Sequence, residues 1–185
     1  MNTVDISFDQ LKNYVADICR QIVNDGWKPD MVVGITRGGA LPAVMISHYF
    51  NIPMHPLKIS FRDDEESVSD CGLSEDAFGY VFTDKRVNEV DQAWDQSRQK
   101  NILVVDDIND TGATINWLVS DWQSSCLPDS PHWNDVWNKT VRFATIIDNL
   151  SSECVVEMDY AALVVNKLEN DVWYNFPYEN WWRTS

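Results

Sequence analysis

Short, wholly apolar runs alternate along this chain with stretches whose apolar positions recur every three or four residues. Leu11, Tyr14, Val15, Ile18 and Ile22 share one helical face. Ser7 with Gln10 three residues on gives that helix a capping-box start, and Gly26 gives it a stop. Met31-Val32-Val33-Gly34-Ile35 reads as a buried strand; Thr36-Arg37-Gly38-Gly39 follows, then a helix over 40–50. Strands are predicted at 54–60, 102–105, 141–147 and 161–165, with a helix from about 113 to 122. Apolar strands separated by helices predict one α/β domain over 1–185, with a mostly parallel sheet covered on both faces.

Two segments depart from the alternation. Residues 62–79 carry seven acids (Asp63, Asp64, Glu65, Glu66, Asp70, Glu75, Asp76) against Arg62 alone, which reads as a flexible, solvated acidic loop able to act as a lid. Residues 124–138, rich in Ser, Pro, Asp and Trp, read as a surface insertion.

Charge narrows the partners. The net charge of −15 over 185 residues disfavours nucleic acid and anionic membrane, since both would be repelled. No run of about 18 apolar residues is present, and the first five residues lack the basic start of a signal peptide, so a cytoplasmic protein is expected. Cys19, Cys71, Cys126 and Cys154 are scattered, as reduced thiols would be, and His48, His55 and His132 share no metal-ligand spacing.

The most informative segment is Ile102-Leu103-Val104-Val105-Asp106-Asp107-Ile108-Asn109-Asp110-Thr111-Gly112-Ala113-Thr114. A buried strand delivers two adjacent carboxylates to its C-terminal end, where open α/β sheets bind ligands. Gly112 frees the turn, and successive N–H groups from Thr111 to Thr114 can surround a phosphate at the start of the next helix. Acids beside a phosphate cradle must hold something else, such as sugar hydroxyls or Mg²⁺. The pattern describes a ribose 5-phosphate site. A P-loop is absent, because the only frame, Gly34 to Gly39, continues as Ala40-Leu41 without its lysine and hydroxyl.

These residues resemble the 5-phosphoribosyl-1-pyrophosphate (PRPP) signature of type I phosphoribosyltransferases. Gly34 to Pro42 resembles that family's pyrophosphate loop, and Asp171 to Glu179 is similar to the base-binding tail of the xanthine–guanine and hypoxanthine enzymes. The resemblance implies a parallel sheet of about five strands with a small hood, here formed with the tail 170–185. It implies a purine salvage enzyme, a pentosyltransferase moving 5-phosphoribose from PRPP to a 6-oxopurine with release of pyrophosphate. It assigns Asp110 as the catalytic proton acceptor and Asp106 and Asp107 to the ribose hydroxyls. Asp110, Thr111, Gly112, Ala113 and Thr114 would bind the 5′-phosphate, and Thr36, Arg37 and Gly38 the pyrophosphate. Glycines let a backbone approach such a ligand, and the Arg37 guanidinium offers paired donors. Mg²⁺ is expected as cofactor, carried on substrate oxygens, with Asp106 and Asp107 as candidate contacts and no direct ligand assigned.

Six of the chain's aromatic rings fall in the last sixteen residues: Trp173, Tyr174, Phe176, Tyr178, Trp181 and Trp182. A flat base suits an aromatic platform, and the resemblance points to stacking on Trp173, with backbone groups from Trp173 through Tyr174 to Asn175 reading its edge. Phe176, Tyr178, Trp181 and Trp182 read instead as anchors or interface rings. The family places a lysine for the base's 6-oxygen where this chain has Asn149, whose amide donates without charge. Lys167, after a later strand, reads as a solvated surface lysine, with donation to the base as its alternative. A phosphoribosyltransferase for another base such as a pyrimidine, and a non-catalytic PRPP-sensing regulator, are the competing functions. A homodimer or higher homo-oligomer is expected on general frequency.

Overall fold

The computed structural model describes residues 2–59, 67–82 and 93–182. After the exposed strand β1 (Asn2–Asp5), helix α1 (Phe8–Asp25) begins at the capping box: Gln10 N donates to Ser7 Oγ at 3.2 Å and Ser7 N donates to Gln10 Oε1 at 2.8 Å. It ends at Gly26, whose φ of 75° suits glycine. There follow β2 (Met31–Thr36), α2 (Ala40–Phe50), β3 (Met54–Lys58), α3 (Cys71–Phe78), β4 (Ile102–Asn109), α4 (Ala113–Ser125), β5 (Val141–Asn149), β6 (Tyr160–Val165) and β7 (Val172–Asn175).

Strands β3-β2-β4-β5-β6 form one sheet, and every pairing in it is parallel. Alternate residues of each central strand serve opposite cores. Val32, Leu103 and Val105 pack with α1 and α2; Val33, Val104 and Phe143 pack with α3 and α4. Both faces are therefore buried, which is why these strands read as unbroken apolar runs. Strand β7 pairs parallel with β1 in a separate two-stranded sheet, the hood.

Three expectations are corrected. The acidic segment is not all loop: its residues 62–66 lie outside the described residues, but Asp70 caps α3 by accepting from Leu73 N, and Leu73, Ala77 and Phe78 are buried. Glu75 and Asp76 lie partly exposed on a helix whose other side completes the core. The segment 124–138 is not a surface insertion either. Trp133 is 2% exposed, its indole donates to the carbonyls of Cys126 and Leu127 at 3.1 Å, and it stacks on Trp137 at 5.3 Å. Polar neighbours hid a core-closing pair of rings. Finally, β4 extends past Val105 to Asn109, because pairing with β5 continues from Asp106↔Thr145 to Asn109↔Asp148.

Candidate active site

The C-terminal ends of β2, β4, β5 and β6 converge on one edge of the sheet, and the tail approaches the same edge. Strand β2 delivers Thr36 and Arg37, joined by a cis peptide, and Arg37 is exposed with no ion-pair partner among the described residues. Thr36 Oγ1 donates to Leu57 O at 3.4 Å. The glycines that follow serve packing. A Cβ on Gly38 would lie 1.9 Å from Asp107 Oδ2, and one on Gly39 would lie 2.3 Å from Val105 O and 2.8 Å from Asp106 Cα. Glycine here lets the β2–α2 loop lie against the end of β4, with Gly38, next to Arg37, against Asp107.

The two acids differ. Asp106 is buried, and its carboxylate accepts its neighbour's amide, Asp107 N, at 2.9 Å. Burial, followed by the charge of Asp107, pushes its carboxyl well above the ordinary carboxylate range. Asp107 is half-buried, with Oδ1 accepting Ile108 N at 2.9 Å and Oδ2 accepting the Tyr178 hydroxyl at 3.0 Å. Burial raises its carboxyl too, opposed by the hydrogen bond from Tyr178.

Gly112 turns the chain from β4 into α4 with φ 86°, and a Cβ there would meet Cys154 N at 2.6 Å. The loop before β6 backs this turn: Glu153 N donates to Thr111 O at 3.1 Å, Asn116 Nδ2 donates to Glu153 O, and Val155 N donates to Asn116 Oδ1. Among the described residues, Ala113 N donates to Thr111 Oγ1 at 3.3 Å, while the amides of Thr111, Gly112 and Thr114 have no protein acceptor. Orphan donors at a helix start, open on one side and buttressed on the other, are arranged to receive an anion.

The base end differs most from expectation. Asn149 is buried and spent within the fold: Nδ2 donates to Asp110 O at 2.8 Å, and Oδ1 accepts from Ser151 and from Lys167 N. Its amide anchors the turn at Asp110 and is not free to read a base. Lys167 is not solvated. Its side chain is 14% exposed, Nζ lies 2.8 Å from Asp110 Oδ1, and it sits 6.0 Å from the Trp173 ring centroid. Trp173 is 40% exposed, and its indole donates to Asn175 Oδ1 at 3.0 Å; Asn175 Nδ2 in turn donates to Asp5 Oδ1 at 2.8 Å. The tryptophan plane is thus fixed by the strand pairing of the hood. Tyr174 points the other way, its ring packed against the α1–α2 core, which leaves its backbone on the Trp173 side.

Of the remaining tail rings, Phe176 is buried, Tyr178 reaches Asp107, and Trp181 and Trp182 are exposed rather than anchoring. Lys167 and Asp5 thus join the cluster without a motif of their own, while Asn175 and Tyr178 enter it through side chains of the 171–179 tail, Asn175 to Asp5 and Tyr178 to Asp107. A lysine at a strand's C-terminal end, on the edge where the acids gather, was the one signal available for Lys167.

The family model for the phosphoribosyl transferase domain matches residues 7–178. Xanthine phosphoribosyltransferase 1 of Saccharomyces cerevisiae is 24% identical over 153 residues, 78% of this chain and 71% of that protein. The fold is similar to that of a purine phosphoribosyltransferase from Pyrococcus horikoshii Ot3 (TM-score 0.61, 19% identity, 97% of this chain and 95% of that one). It is also similar to the Helicobacter pylori xanthine-guanine-hypoxanthine phosphoribosyltransferase (TM-score 0.60, 18% identity, 97% and 95%). With strand-end acids, an open helix-start turn and a model match across nearly its whole length, this chain belongs to the phosphoribosyl transferase domain family, enzymes of the pentosyltransferase class.

Proposed function

We propose that the protein is a purine phosphoribosyltransferase that joins a 6-oxopurine to the 5-phosphoribosyl group of PRPP, giving a nucleoside 5′-monophosphate and pyrophosphate. The observation that carries this reading is the exposed Trp173 with Lys167 beside it, on the sheet edge that bears Asp106, Asp107 and the open turn of 111–114. An ammonium has donors and no acceptor, so it favours a ring carbonyl over the amino group of adenine. The curated yeast relative, named for xanthine, supports a purine.

Substitution at the ribose C1 builds positive charge as pyrophosphate leaves, so the site must neutralise the leaving group and align the nitrogen. Arg37 meets the departing pyrophosphate, and the amides of Thr111, Gly112 and Thr114 hold the 5′-phosphate. Asp106 and Asp107 take the ribose hydroxyls. Asp110 accepts the proton of the attacking nitrogen, with Lys167 sharing its carboxylate until the base enters between them. Asp106 and Asp107 are hard oxygen donors that suit Mg²⁺. No group of three or more potential ligands gathers among the described residues, so substrate oxygens and water would complete its shell. When bound, Mg²⁺ supplies positive charge to the pyrophosphate oxygens.

Pyrophosphate release should be measured with PRPP, Mg²⁺ and a panel of purine and pyrimidine bases. Turnover with hypoxanthine, guanine or xanthine is expected. Turnover only with adenine or a pyrimidine refutes the 6-oxopurine assignment, and PRPP binding without turnover favours a sensor.

A further inference from the structure

Tyr178 enters the cluster from the tail, 71 residues beyond Asp107 in sequence, and has no part in the chemistry just described. Its partner carboxylate is fixed from three sides. Ile108 N holds Oδ1 at 2.9 Å, the Tyr178 hydroxyl holds Oδ2 at 3.0 Å, and the backbone of Gly38 lies so close that a Cβ would come within 1.9 Å of Oδ2. The strand, the pyrophosphate loop and the tail therefore meet at one side chain.

The phenol ring is held independently of its hydroxyl. It stacks on the buried Phe176 with centroids 5.5 Å apart and planes 15° apart. The turn that carries both rings is closed twice: Phe176 N donates to Glu179 Oε2 at 2.8 Å, and Glu179 N donates to Phe176 O at 3.1 Å. A ring so placed offers its hydroxyl at low entropic cost. The bond takes one acceptor site of a group that has about four, which leaves Asp107 able to accept from a ligand hydroxyl as well.

We infer that Tyr178 is a positioning residue for the phosphoribosyl donor: its hydroxyl orients Asp107 toward the ribose, so that affinity for PRPP depends on the docked tail. This rests on the reading that Asp107 meets the ribose. By linkage, PRPP must favour the docked tail to the same degree. Trp173 belongs to that tail, so the donor helps to set the base platform. Adenine and oxopurine acceptors gain equally, because Tyr178 touches neither.

The test is calorimetric titration of the whole protein with PRPP and Mg²⁺, for wild type, Tyr178→Phe, Asp107→Asn and the double variant. Phenylalanine keeps the stacked ring, and urea unfolding of each variant reports its folded state. Loss of a hydrogen bond to a charged group should weaken PRPP binding by about ten-fold or more. The steady-state change should fall on KM for PRPP, with kcat at saturating PRPP reduced far less. In the Asp107→Asn background, Tyr178→Phe should have little further effect. Unchanged or tighter PRPP binding by Tyr178→Phe overturns the inference, as do effects of the two substitutions that simply multiply. Wild-type protein that fails to bind PRPP overturns the proposed function along with it, and the two failures are thereby told apart.

Discussion

Replacing Gly39 with Ala adds one methyl group at a place where there is backbone on the other side. Its Cβ would stand 2.3 Å from Val105 O, 2.8 Å from Asp106 Cα and 2.8 Å from Ile35 O. Ordinary contact begins at about 3.4 Å, so the β2–α2 loop must retreat from β4 by about 1 Å. No flexible side chain can absorb the shift, since all three atoms are main chain. Overpacking of this kind costs about 1–3 kcal/mol. For a chain of this size, about 2 kcal/mol lowers the melting temperature by roughly 4–8 °C. The same 1 Å moves the loop that carries Arg37, the proposed pyrophosphate contact, and a misplacement of that size can lower kcat/KM by about 100-fold. Urea unfolding of the ligand-free protein and pyrophosphate release should therefore fall together. If Gly39→Ala reduces turnover while leaving the urea midpoint unchanged, the glycine serves ligand approach and the packing argument fails.

Asp110→Asn should lower kcat by about 10²–10⁴-fold with PRPP affinity largely kept, because the amide cannot take a proton; Asp106→Asn should instead weaken PRPP binding, as titration will show. Lys167→Met should raise KM for hypoxanthine by at least ten-fold and narrow the preference over adenine, and an unchanged preference would remove Lys167 from base recognition. Ligand-free stability should fall as pH rises. Asp106, Asp107 and Asp159 have carboxyls raised chiefly by burial, so the native state retains protons that the unfolded chain releases from about 3.8 upward. The urea midpoint should accordingly be lower at pH 7.5 than at pH 5.5, with a flatter dependence in Asp106→Asn; a midpoint that climbs over this interval contradicts the assignment.

The strand, acid pair and helix-start turn over 102–114 were legible because they are local. Strand, acid pair, glycine turn and helix follow one another within 102–114, so periodicity and turn chemistry suffice to read them. The cluster around Lys167 and Trp173 was not, because its members meet only in the folded chain. Lys167 reaches Asp110 across the sheet edge, and Asp5 reaches Asn175 through the pairing of β1 with β7. Asn149 occupied the expected lysine position, yet its Nδ2 is taken by Asp110 O and its Oδ1 by Ser151 and Lys167 N, and no local pattern announces that. Residues 71–78 and 124–138 were misread for a related reason. Their acids and prolines dominate the average, while Phe78, Trp133 and Val136 do the packing.

The division into two sheets bears on how such a protein can change over generations. Asp106, Asp107 and the 111–114 turn hang from a strand buried on both faces, where most substitutions nearby would cost the fold itself. Trp173 and Lys167 border a two-stranded hood, and of its residues β1 is exposed throughout and Trp173 is open to solvent. Exposed positions of this kind typically tolerate replacement within about 0.5 kcal/mol. On the proposed assignment, selection can try new bases on the hood while the transfer chemistry stays sheltered in the larger sheet, and the choice of base is free to drift faster than the reaction.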